Sequence, residues 1–103
     1  MLTPNKRGLM MAGNFTINVH QTQDHVCLKL NGDFDGSSAC ELLNLLNAYF
    51  RRSSKILVDT DSLKRIYPFG LNVFHNRLIE VKPPEIPLIF TGKLSSQFSS
   101  QLI

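Results

Sequence analysis

Apolar and polar residues alternate at the start of the folded region: Phe15, Ile17 and Val19 are interleaved with Thr16, Asn18 and His20. A period of two predicts a strand buried on one face. Gln21 to Asp24 is a polar turn. His25 to Leu30 then places Val26, Leu28 and Leu30 on one side of a second strand, and the short spacing predicts a hairpin. Asn31 to Gly36 reads as a loop. From Ser37 the period changes, and Ala39, Leu42, Leu43, Leu46 and Phe50 recur at three and four, the pattern of an amphipathic helix. Leu45 and Tyr49 widen its apolar face. Ser38 followed by Glu41 fits a capping box, and Arg51 and Arg52 suit the negative end of the helix dipole.

Lys55 to Asp59 is an apolar run closed by an acid, which predicts a central strand covered on both faces. Pro68 suits the first turn of a second helix, whose stripe is Phe69, Val73, Phe74, Leu78 and Val81. Pro83 and Pro84 end it. Ile86 to Phe90 is a fourth strand, and a last helix begins near Leu94 with Phe98, Leu102 and Ile103 apolar. The predicted order is β-β-α-β-α-β-α. Helices between the later strands imply parallel pairing and right-handed crossovers in an α/β domain. Residues 1–14, with Pro4, Gly8 and Gly13, read as a flexible arm, and residues 15–103 as the domain.

Length and charge narrow the function. A chain of 103 residues supports one hydrophobic core. The net charge is +3, with Lys6 and Arg7 in an arm that has no acid. The remainder is nearly neutral, which argues against a nucleic-acid partner. No stretch reaches the ~18 apolar residues of a membrane span, and the start lacks a signal-peptide pattern, so no membrane association and a cytoplasmic location are expected. Cys27 and Cys40 read as small core hydrophobes rather than a disulfide.

Candidate chemistry is sparse. Asp33 with Asp35, and Asp59 with Asp61, are acid pairs at sheet ends; such pairs can bind a divalent cation or run acid–base chemistry. Carboxylates there also serve as helix and loop caps, which is the simpler reading. A small hydrolase using Asp59 or Asp61 is one alternative. His20, His25 and His75 stand apart in sequence, and no Cys-x-x-Cys, dinucleotide or phosphate-loop motif is present, so no cofactor or metal is expected. Ser95 or Ser96 is placed to cap the last helix, and an exposed serine between Ser95 and Ser100 is a candidate for phosphorylation. The segment Tyr67 to Phe74 is the stronger candidate site. It opens a helix after a buried strand, at the sheet edge where α/β folds present ligands. Tyr67, Phe69 and Asn72 there offer a rigid aromatic contact surface if Phe69 faces outward, and Lys64 and Arg65 a charged rim. Inward packing of Phe69 is equally compatible with the pattern.

Four sequence features together resemble the STAS domain family, of the anti-sigma factor antagonist type. They are Gly32-Asp33-Phe34-Asp35 before the first helix, Ile56-Leu57-Val58-Asp59 as the buried strand, Asp61-Ser62-Leu63 and Ile66 leading to Gly70-Leu71, and Phe90-Thr91-Gly92 after the fourth strand. The resemblance implies a single four- or five-stranded mixed sheet with helices mainly on one face and no active site. It also implies a protein partner, an anti-sigma factor or kinase-like regulator, held at Lys64, Tyr67, Phe69 and Asn72 with Asp35 and Ser37. Family members are switched by phosphorylation within an Asp-Ser-Ser-Gly motif. The matching residues here are Tyr67-Pro68-Phe69-Gly70, with Phe69 at the acceptor position. A phenyl ring has no hydroxyl, so the switch is expected to be absent at this site. A scaffold or a homodimeric structural module, paired through an exposed edge at residues 15–19, is the other alternative.

Overall fold

A computed structural model describes residues 14–99. Its elements follow the predicted order: β1 (Thr16–Gln21), β2 (His25–Phe34), α1 (Gly36–Tyr49), β3 (Lys55–Ile66), α2 (Pro68–Val81), β4 (Leu88–Thr91) and α3 (Ser95–Ser99). Among the described residues the sheet has four strands in the order β1-β2-β3-β4. The β1–β2 hairpin is antiparallel, with Ile17 opposite Leu30 and Val19 opposite Leu28. The β2–β3 and β3–β4 pairs are parallel, with Leu28 opposite Val58 and Val58 opposite Phe90. The result is a mixed α/β sheet with helices on one face.

The helix-covered face is built from alternate residues. Ile17, Val26, Leu28, Leu30, Ile56, Val58 and Phe90 are buried beneath Leu42, Leu46, Leu71, Phe74 and Leu78 of the helices. At its centre is an aromatic cluster. Phe34 meets Phe15, Phe74 and Phe98 edge-on at centroid distances of 5.8, 6.1 and 5.1 Å, while Phe90 and Phe98 stack at 5.0 Å. Edge-to-face pairs set the positive ring edge against the negative face, adding about 0.5–1.5 kcal/mol to area burial.

Several sequence expectations are corrected. Asn31 to Phe34 is not loop but the continuation of β2, interrupted by two register shifts, between Lys29 and Asn31 and between Gly32 and Asp33. Bulges admit the extra residues and re-aim the strand. Gly32 has φ +93°, and a Cβ there would overlap the carbonyl oxygen of Asn14, so only glycine fits. The capping box at Ser38 and Glu41 is not formed. The helix begins three residues earlier than a Ser38 cap implies, and Asp35 is its cap, accepting from the Ser38 backbone N–H at 2.9 Å. Ser38 instead donates its hydroxyl to the Asp33 carbonyl and the Asp35 carboxylate, both at 2.9 Å. Arg51 and Arg52 lie beyond the last helical turn, and Arg52 sits over the Tyr49 ring at 5.1 Å. β3 runs on to Ile66 and alternates between buried and partly exposed residues, so it is covered on one face rather than two. Cys40 is exposed on α1, not core, whereas Cys27 is half-buried on the sheet face opposite the helices. The fourth strand starts at Leu88 rather than Ile86. The arm expected at residues 1–14 lies outside the described residues except for Asn14, as do Ser100, Leu102 and Ile103.

Candidate functional site

The carboxyl ends of β2 and β3 lead directly into α1 and α2, so one end of the sheet gathers both helix starts. Pro68 opens α2 at a position where the missing N–H has no helical partner to lose. The Tyr67 backbone N–H donates to the Phe34 carbonyl at 2.9 Å and ties the two junctions together. Gly70 brings them into close approach: a Cβ there would lie 2.8 Å from the Asp35 carbonyl carbon and oxygen and 2.9 Å from the Phe34 oxygen.

Phe69 points outward. It is 68 % exposed, and its ring lies across Gly36 at the start of α1. Tyr67 is 40 % exposed, and its hydroxyl accepts from Arg65 Nη1 at 3.3 Å. That bond, with the nearby Asp33 charge adding to it, holds the Arg65 guanidinium above its usual range. Lys64, Ser37 and Asn72 are exposed. Asn72 lies one turn beyond Phe69, on the same strip of α2 surface. Asp35 is half-buried, and its Oδ1 is occupied by Ser38. Thus the structure joins Phe69 to the Gly36–Ser37 turn, while the Asp35 carboxylate serves α1.

A concavity of about 680 Å³ adjoins this surface, lined by Asn14, Thr16, Gly32, Asp33, Lys64 and Arg65. The sequence pattern marks Asp33, Lys64 and Arg65 as candidates but not Asn14 or Thr16. Asn14 and Thr16 reach it only through antiparallel pairing, which sets Thr16 against Asn31. A glycine inside a strand pattern is the one local signal that marks the bulge.

The second acid pair serves the backbone. Asp59 Oδ1 accepts from the Asp61 N–H at 2.9 Å, and Asp61 Oδ1 from the Lys93 N–H at 2.8 Å. Thr60 donates to the Thr91 carbonyl and accepts from the Leu94 N–H, so this junction anchors the approach to α3. His75 is buried, with Nδ1 2.9 Å from the Leu71 carbonyl oxygen and Nε2 2.6 Å from that of Phe98. Among the described residues no three His, Cys, Asp or Glu side chains come together as metal ligands, and no helix is long and apolar enough to cross a membrane.

No family model matches the sequence, and no curated protein matches it either. Solved structures do match. An anti-sigma factor antagonist from Mycobacterium paratuberculosis superposes with a TM-score of 0.66 at 14 % identity, over 91 % of this chain and 81 % of that one. The anti-sigma factor antagonist SpoIIAA in its unphosphorylated form gives 0.59 at 13 % identity, over 84 % and 81 %. An uncharacterized protein with a SpoIIAA-like fold from Shewanella loihica gives 0.57 at 13 % identity, over 78 % and 67 %. With the mixed sheet, the one-sided helices and the paired helix starts in place, the chain has the SpoIIAA-like fold of STAS domains.

Proposed function

We propose that this chain is a non-catalytic protein-interaction module of the anti-sigma factor antagonist kind, one that works without the serine phospho-switch. The observation that carries the reading is the outward Phe69 ring at the start of α2, 68 % exposed and seated on Gly36. An exposed aromatic on a rigid helix start provides contact area at small entropic cost, as interface hot spots do. Lys64, Tyr67, Phe69 and Asn72, with Asp35 and Ser37 from the facing turn, make up the partner-binding surface. Phe69 stands at the acceptor position and offers no oxygen to phosphorylate. The proposed partner is an anti-sigma factor or kinase-like regulator, and the proposed setting is the bacterial cytoplasm. The committed acids at Asp59 and Asp61 favour this reading over hydrolysis.

The test is a photo-crosslinking benzophenone amino acid placed at position 69 and, as a control, at Ile79, which is 81 % exposed farther along α2. Position 69 is expected to yield a discrete adduct with one cellular protein, and position 79 none. Equal labelling from both positions, or none from position 69, would remove this face from consideration.

A further inference from the structure

The concavity beside Tyr67 lies at the bulged ends of β2 and β3, and it carries an excess of positive charge among the described residues. Lys64 and Arg65 are exposed on its wall. Among the described residues neither takes part in a salt bridge. Among the described residues Asp33 is the one acid lining it, against two cations, and Asp35 alongside has turned its Oδ1 into α1. Arg65 is steadied by its 3.3 Å bond to the Tyr67 hydroxyl, so a charged group and an aromatic face are presented side by side. The hollow is partly open to solvent. At about 680 Å³ it falls within the size range of ligand sites.

We infer that this hollow seats an acidic segment of a protein partner, its carboxylates against Lys64 and Arg65 and an adjoining apolar side chain against Tyr67 and Phe69. The inference rests on the interaction reading above and adds to it the chemistry of the partner. Guanidinium and ammonium groups on an exposed rim attract carboxylates at range and fix their register. The apolar contact on the exposed rings contributes the desolvated part of the interface. The segment must therefore combine both residue types; a purely acidic or a purely apolar one would satisfy half the surface.

A random peptide library displayed on phage and selected on the intact chain tests this. Enriched peptides are expected to pair Asp or Glu with a neighbouring large apolar residue. A synthetic copy should bind about tenfold more weakly to the Lys64→Glu, Arg65→Glu double variant, with most of the loss in association rate, and binding should weaken as salt is raised. Circular dichroism and melting temperature establish that the variant is folded. Peptides that lose binding on Phe69→Ala yet ignore the charge reversal would overturn the acidic-segment inference and leave the interaction reading standing. Peptides indifferent to both variants, or no enrichment at all, would overturn both. Displacement of the peptide by inorganic phosphate at millimolar concentration would assign the hollow to a small anion and likewise overturn the inference.

Discussion

The ring of Phe69 lies so close over Gly36 that a Cβ on that glycine would sit 2.9 Å from ring atom Cε2. This contact joins the start of α2 to the start of α1, two segments more than thirty residues apart in the chain. Its partner is the far end of a side chain that is otherwise in solvent. The neighbouring Gly70 meets the Phe34 and Asp35 backbone instead. The two glycines are therefore expected to respond differently to the same substitution.

Gly70→Ala places a methyl against main-chain atoms that cannot turn away, and it should cost about 1–3 kcal/mol, as overpacking does. Gly36→Ala should cost less, because the Phe69 ring can rotate outward. Thermal or denaturant unfolding of the two variants checks the order. Equal losses would mean that the Phe69 ring is held as firmly as backbone.

Phe69→Ser removes an exposed ring, so its effect on stability should stay within about 0.5 kcal/mol. Its effect on partner capture should be large by comparison. A loss of stability comparable to that of a core phenylalanine variant would show that the ring packs inward in solution. The matching core control is Phe34→Ala, expected to cost about 3–5 kcal/mol because it empties the centre of the aromatic cluster.

Asp35→Ala should destabilise the chain by about 0.5–2 kcal/mol through loss of the α1 cap, while Asp35→Asn, which retains a capping oxygen, should recover most of that. Denaturant midpoints of the two variants decide it. Failure of Asn to rescue would point to the carboxylate charge rather than the cap.

The two thiols should react unequally. Burial, reinforced by the Asp59 charge, pushes the Cys27 thiol up from its ordinary value, so less of it is thiolate near neutral pH. Cys40 is exposed on α1. Maleimide labelling followed by peptide mapping is expected to modify Cys40 first, with Cys27 gaining reactivity only as the pH is raised further. Faster labelling of Cys27 would contradict its placement on the sheet.

The sequence by itself determined the order and type of every described element. Period two and period 3.6 are local properties, readable from Ile17 and Val19 or from Leu42, Leu43 and Leu46 without knowing what they pack against. The start of α2 was equally legible, because Pro68 declares its position through its own covalent geometry. The segment from Gly32 to Gly36 was not. Two glycines and two aspartates in five residues look like a loop, yet the chain stays in the sheet through Phe34, which becomes the hub of the core, and enters α1 at Gly36. Pairing with β3 and the close passage of Asn14 over Gly32 select that path, and both come from distant parts of the chain.

The choice of helix cap follows the same logic. Ser38 and Glu41 satisfy the capping-box spacing, but once β2 extends to Phe34 the first helical residue moves to Gly36 and the cap falls to Asp35. The direction of Phe69 was open for a related reason: an aromatic at a helix start suits either side, and only the seating of α2, with Gly70 and Leu71 buried, sets Phe69 outward. Local pattern decides what an element is, because backbone preference acts over a few residues. Where the element ends, and which of its side chains meets solvent, depends on what is packed beside it, and only the tertiary structure supplies that.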